Sequence, residues 1–137
     1  MNEILPNVWL GDITDGCSLQ EQEGKWLGIC VLDTRPDNIP ENHIWIPVLT
    51  RNEDGGDLYA YIDNLNHIIT KIQAGLKNGF KVLVYCGAGL ERSPMTIAYF
   101  IFKELDVDLE SAYTWIKKFR GVFNRAYWIY VGLGTVR

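Results

Sequence analysis

One stretch constrains this chain more than any other. The apolar run Lys81-Val-Leu-Val-Tyr85 passes directly into Cys86-Gly-Ala-Gly-Leu-Glu-Arg92, and a long apolar segment then opens at Ser93. The first run predicts a strand, and the segment from about Ser93 to Leu105 predicts a helix. Open α/β sheets bind ligands at the carboxyl ends of their strands. A loop between such a strand and helix turns backbone N–H groups inward, towards the positive end of the helix dipole, and so forms an anion pocket. Gly87 and Gly89 let the backbone curl and approach an oxygen closely.

The residues placed in that pocket have a definite chemistry. Cys86 stands first and Arg92 last, with five residues between them. Inward N–H dipoles and a nearby guanidinium favour a thiolate at Cys86. Arg92 offers a planar fork that takes two oxygens of a phosphoryl group at once. The backbone of Gly87, Ala88, Gly89, Leu90 and Glu91 would complete the cradle. Ser93 can give its hydroxyl to the sulfur and so help thiolate leave when a covalent intermediate breaks down. The set suits two-step displacement at phosphorus through a cysteinyl-phosphate.

Elsewhere the pattern predicts alternating strands and helices. Val8-Trp9-Leu10-Gly11 reads as a short strand. Ser18 followed by Glu21 has the form of a capping box, which predicts a helix from about Leu19 to Glu23, stopped by Gly24. Gly28 to Asp33 reads as a strand buried on both faces, and Ile44 to Val48 as another whose Pro47 marks the sheet edge or strand end. Asp57 stands as an N-cap ahead of Leu58, Tyr61, Ile62, Leu65, Ile68, Ile69 and Ile72, whose spacing gives one apolar helix face. Asn78-Gly79 closes that helix. Asp108 caps a further helix over about Leu109 to Phe119, and Ala126 to Val131 is expected to be helical. The order predicts an α/β fold on a mainly parallel twisted sheet of four to five strands flanked by helices. At 137 residues, a single domain over 1–137 is expected.

Charge and cysteine usage exclude several functions. A formal net charge of -4 argues against a nucleic-acid binder, despite the local cluster Lys117, Lys118, Arg120 and Arg125, which reads as a solvated face. Cys17, Cys30 and Cys86 leave one thiol unpaired in any matching, which fits a reducing compartment. They form no CxxC, and His43 and His67 complete no ligand set, so neither zinc nor another cofactor is expected. No stretch approaches the roughly 20 apolar residues that cross a bilayer, and the N-terminus lacks a leader pattern. A cytoplasmic location follows as the expectation.

Val82-Leu-Val-Tyr-Cys-Gly-Ala-Gly-Leu-Glu-Arg-Ser-Pro-Met-Thr-Ile-Ala-Tyr-Phe100 resembles the signature of dual-specificity phosphatases, within the cysteine-dependent protein tyrosine phosphatase superfamily. Ile4 to Asp12 is similar to that family's opening strand, and Trp45-Ile-Pro-Val48 to the strand ahead of its acid loop. Leu109-Glu-Ser-Ala-Tyr113, with Arg120 and Asn124, is similar to its closing helices. The resemblance implies a metal-independent phosphatase acting on phosphotyrosine in proteins, with phosphoserine and phosphothreonine as further substrates.

Two departures stand out. The family usually has His before the cysteine, where this chain has Tyr85. The family's general acid, an Asp three residues after the proline, is replaced by Thr50. An acid must still protonate the leaving oxygen. Asp54, followed by two glycines, is the first choice, ahead of Glu53 and of Asp57. These departures keep open a phosphoryl-binding module without efficient turnover; a phosphatase for a non-protein phosphate ester is a third class, disfavoured by Gly87 and Ala88 in place of basic residues and by the acidic chain. Of the remaining residues, Glu91 is expected to face solvent or a base. Asp33 reads as a turn former, and Cys30 as core with a smaller chance of a disulfide to Cys86. Tyr99, Phe100 and Phe102 read as core.

Overall fold

The computed structural model describes residues 1–48 and 58–122, with the backbone alone at 58–61. Thr50, Glu53, Asp54, Asp57, Asn124, Arg125 and the helix expected at 126–131 lie outside the described residues.

Strands β1 (Asn2–Leu5), β2 (Val8–Gly11), β3 (Trp26–Cys30), β4 (His43–Trp45) and β5 (Lys81–Tyr85) form one sheet in the order β1-β2-β5-β3-β4. β1 pairs antiparallel with β2, and every other neighbour is parallel. Helices α1 (Ile13–Cys17), α2 (Leu58–Lys77), α3 (Arg92–Leu105) and α4 (Leu109–Lys117) complete the order. The predicted mainly parallel α/β sheet is therefore present, with β5 at its centre.

Central position explains the composition of β5. Val82, Leu83 and Val84 are all 0% exposed, because helices or loops cover both faces. One face carries the larger core, where Leu10, Ile29, Val82 and Val84 meet Leu65, Ile68 and Ile72 of α2, Ile97 and Tyr99 of α3, and Ile116 of α4. The opposite face carries a smaller cluster of Leu19, Trp26, Cys30, Leu83 and Tyr85. Tyr99, Phe100 and Phe102 are buried as expected. Tyr99 donates its hydroxyl to Asn66 Oδ1 at 2.6 Å, and burial pushes that hydroxyl's pKa up to about 12.

The strand expected at Val8 to Gly11 is present as β2, but its surroundings differ from what the sequence predicts. β1 was not expected as a separate strand. It turns into β2 through Asn7, which takes φ 66, a left-handed conformation that Asn tolerates better than most residues. The helix predicted at Leu19 to Glu23 is only a 3₁₀ turn, Leu19–Glu21, and Ser18 makes no side-chain cap there. Ser18 instead donates to Thr14 O at 3.0 Å, closing α1. The true capping box lies six residues earlier and is built from two aspartates. Asp15 N–H donates to Asp12 Oδ1 at 2.9 Å, and Asp12 N–H to Asp15 Oδ2 at 3.0 Å. β3 begins two residues earlier than expected and ends at Cys30, although Val31 N–H still donates to Tyr85 O at 3.0 Å. β4 is likewise shifted towards His43.

Register fixes where a site can form. Tyr85 is opposite Gly11 on one side and Cys30 on the other, so β2, β5 and β3 end level with one another. The connections leaving that edge begin at Asp12, Cys86 and Val31.

Candidate active site

Cys86 opens the loop above that edge, and Arg92 opens α3. Cys86 is 3% exposed and Ser93 0%. The sulfur lies 3.3 Å from Ser93 Oγ, and the same hydroxyl donates to Gly11 O at 3.2 Å. One hydroxyl proton thus has two acceptors in reach, a carbonyl and a sulfur.

The two loop glycines are not equivalent. Gly89 has φ +69, and a Cβ there would lie 2.8 Å from both Gly11 O and Arg120 Nη2. Only glycine fits that position. Gly87 has no such conformation, and its nearest neighbour to an added Cβ is Leu32 Cδ2 at 3.8 Å.

Two carbonyls of the loop are drawn outward. Ile13 N–H, at the start of α1, donates to Gly87 O at 3.1 Å. Arg120 Nη2 donates to Ala88 O at 3.2 Å. A trans peptide points its N–H opposite to its C=O, so the N–H groups of Ala88 and Gly89 are directed to the inside of the loop. Among the described residues, no N–H from Gly87 to Glu91 donates to a backbone carbonyl. Inward donors at the start of a 14-residue helix make a site for an anion.

Arg92 brings positive charge to this place. Its Nη2 is 3.7 Å from Asp33 Oδ2, with side-chain exposures of 26% and 50%. At that exposure the pair is worth no more than about 1 kcal/mol, too little to hold the guanidinium against a phosphoryl group. Arg92 Nε is buried and has no acceptor among the described residues. Asp33, read from sequence as a turn former, therefore stands beside the arginine. Leu90 and Glu91 are half-buried, and Glu91 takes the N-cap position of α3 without a side-chain capping bond.

Tyr85 points away from Cys86 into the smaller cluster. Its hydroxyl is 2.7 Å from His43 Nδ1, and the rings meet edge to face at 5.6 Å. Burial raises the tyrosine's pKa above its ordinary value and lowers that of the histidine, so both stay neutral. Burial also raises the Cys30 thiol, which faces this same cluster. Cys86 belongs to the larger core on the opposite face. Cys17, Cys30 and Cys86 are all free thiols.

Arg120 corrects another expectation. Rather than belonging to a solvated basic face, it reaches Ala88 O, Asn2 Oδ1 at 3.3 Å and Asp12 Oδ2 at 3.7 Å. Nothing local in the sequence indicates these partners, which are far away along the chain. Gly11, whose carbonyl receives Ser93, was likewise unmarked by sequence. The acid candidates Asp54, Glu53 and Asp57 lie outside the described residues.

A sequence model described as "Dual specificity phosphatase, catalytic domain" matches residues 27–130. The chain is 33% identical over 121 residues to human dual specificity protein phosphatase 16, covering 85% of this chain and 18% of that one. It is 31% identical over 123 residues to 123R of Invertebrate iridescent virus 6, a candidate tyrosine phosphatase, covering 88% of this chain and 80% of that one. The chain thus spans most of the viral relative and a small part of the human one. The crystal structure of human DUSP28 matches with a TM-score of 0.73 at 22% identity, covering 93% of this chain and 90% of that one.

Proposed function

Because the chain belongs to the dual specificity phosphatase family, cysteine-based and metal-independent protein phosphatases by class, we propose that it hydrolyses phosphotyrosine in proteins through a cysteinyl-phosphate. Phosphoserine and phosphothreonine are proposed as further substrates. The observation that carries this reading is the Cys86 sulfur at 3.3 Å from Ser93 Oγ, at the mouth of a loop whose carbonyls are pulled outward.

In the first step the Cys86 thiolate attacks phosphorus, and the ester P–O bond breaks. The departing oxygen takes a proton from the acid, for which Asp54 is proposed. Inward N–H groups and the Arg92 fork bind the phosphoryl oxygens and stabilise the charge they carry in the transition state. In the second step water attacks phosphorus, the P–S bond breaks, and the acid residue takes back a proton. Ser93 swings its hydroxyl from Gly11 O to the sulfur, and so stabilises the departing thiolate. Residues 1–137 are proposed to act as one catalytic domain, in the cytoplasm, where its three free thiols stay reduced. Neither a nucleic acid nor a membrane is a proposed partner. Among the described residues no helix is long and apolar enough to cross a membrane.

Turnover on phosphotyrosine, phosphoserine and phosphothreonine peptides tests the proposal. Cys86→Ser is expected to lose at least about a thousandfold in rate. Full activity in that variant would overturn the mechanism. Asp54→Asn should slow substrates with poor leaving groups and spare an activated aryl phosphate. Equal rates on a poor leaving group would remove Asp54 as the acid.

A further inference from the structure

We propose that Arg120 is a positioning residue, which holds the Ala88–Gly89 peptide in the one orientation that presents Gly89 N–H to a phosphoryl oxygen. The inference rests on the phosphatase reading and concerns the same loop. A peptide unit can rotate between two orientations that exchange its C=O and N–H directions, through opposed changes in ψ of the first residue and φ of the second. Rotation is easiest where the second residue is glycine, which accepts both signs of φ. Position 89 must be glycine, because a Cβ would meet Gly11 O at 2.8 Å. The close packing that demands glycine therefore brings a hinge to the middle of the cradle. In the rotated state Ala88 O would face the phosphoryl group, and a partial negative charge would replace a donor.

Arg120 selects between the two states. Its Nη2 donates to Ala88 O at 3.2 Å, and the same nitrogen is 3.7 Å from Asp12 Oδ2. Nη1 donates to Asn2 Oδ1 at 3.3 Å. Three contacts fix the guanidinium, whose side chain is only 20% exposed. Asp12 is itself anchored as N-cap of α1, whose Ile13 N–H holds the preceding carbonyl, Gly87 O. Consecutive peptide units of the loop are thus tied to one collar, made of α1 and Arg120. Lysine could offer the charge, but its single ammonium cannot span the same three partners in a plane.

Binding of inorganic phosphate, measured by calorimetry and by protection of Cys86 from iodoacetamide, reads the loop without needing turnover. Arg120→Ala is expected to weaken phosphate about tenfold or more, the worth of one well-placed hydrogen bond. Arg120→Lys should recover part of that loss. Arg120→Met keeps the apolar stem and serves if the alanine variant does not fold. It should lose phosphate affinity while its thermal midpoint stays near that of the lysine variant. A fallen thermal midpoint with unchanged phosphate affinity would overturn the proposal, since it would make Arg120 merely structural. Wild-type protein that binds phosphate without Cys86-dependent turnover would sink the hydrolytic reading alone. The role of Arg120 would still be decided by the affinities, and equal values would refute it.

Discussion

Tyr85 and Cys86 are neighbours in the chain but face opposite sides of the sheet, and the two sides are built on different terms. Around Cys86 polar contacts run in a chain, from the sulfur to Ser93 Oγ at 3.3 Å and from that hydroxyl to the Gly11 carbonyl at 3.2 Å, beside the inward amides of a single loop. Around Tyr85 the matter is volume. A Cβ on Gly16 would lie 2.5 Å from the Tyr85 ring, and one on Gly28 would lie 2.5 Å from the His43 ring. Two glycines on separate elements thus leave space for one buried aromatic pair. The imidazole that the family resemblance leads one to expect at position 85 is found one side chain further out, at His43. The face that carries the proposed site is built largely from one continuous motif, whereas the face behind it is gathered from α1, β3, β4 and β5.

That contrast can be broken from either side. Short of removing the sulfur, the largest effect is expected at Gly89→Ala, which forces a side chain into a left-handed position against Gly11 O. Loss or misdirection of an inward donor should cost about a hundredfold in kcat/KM on an aryl phosphate. Gly87→Ala should cost less, because space and backbone angle both admit a Cβ. Equal losses at the two positions would show that the loop does not distinguish them. On the other face, Gly28→Ala or Gly16→Ala should destabilise the fold by about 1–3 kcal/mol through overpacking, seen as a lower urea midpoint. An unchanged midpoint would mean that the aromatic pair adapts freely and that volume is not what this face controls.

The smallest effect is a pH dependence of stability. Burial lowers the pKa of His43 from an ordinary value of 6.5, so the unfolded chain takes up this proton more readily than the folded one. The sign follows from that difference. The contribution is complete above about pH 6.5 and is lost as pH falls through the lowered folded value. Urea midpoints at pH 7.5 and 5.5 should therefore diverge in wild type and converge in His43→Gln. A wild-type midpoint that does not fall towards pH 5.5 would show that the imidazole is not held neutral.

How much of this was legible in the sequence depended on the range of the interactions. The strand at Lys81–Tyr85, the loop from Cys86 and the helix through Leu105 follow from local apolar pattern and glycine placement, and each stands as read. α2 follows from its spacing of apolar residues. The Ser18/Glu21 pattern misled because it lies at the end of one short helix, not at the start of another, and the working capping box uses Asp12 and Asp15. Arg120 reads as part of a solvated face and Asp33 as a turn former because their partners, Ala88 and Arg92, are 32 and 59 residues away. Likewise, Gly16 and Gly28 look ordinary until the rings that need their space are brought alongside. The acid segment rests on sequence alone, with Asp54 as its proposed donor.

Level strand ends carry a consequence for how such a protein can change. Because Gly11, Tyr85 and Cys30 finish side by side, the site is supplied by separate connections rising from one flat rim. Each contributes a separable function: Asp12 and Ile13 brace the loop, Asp33 stands against the arginine, and Cys86 supplies the sulfur. Residues beyond the rim can vary one connection at a time, while the strands beneath keep their pairing. On the proposed function, such a platform lets substrate preference drift without disturbing the proposed reacting atoms.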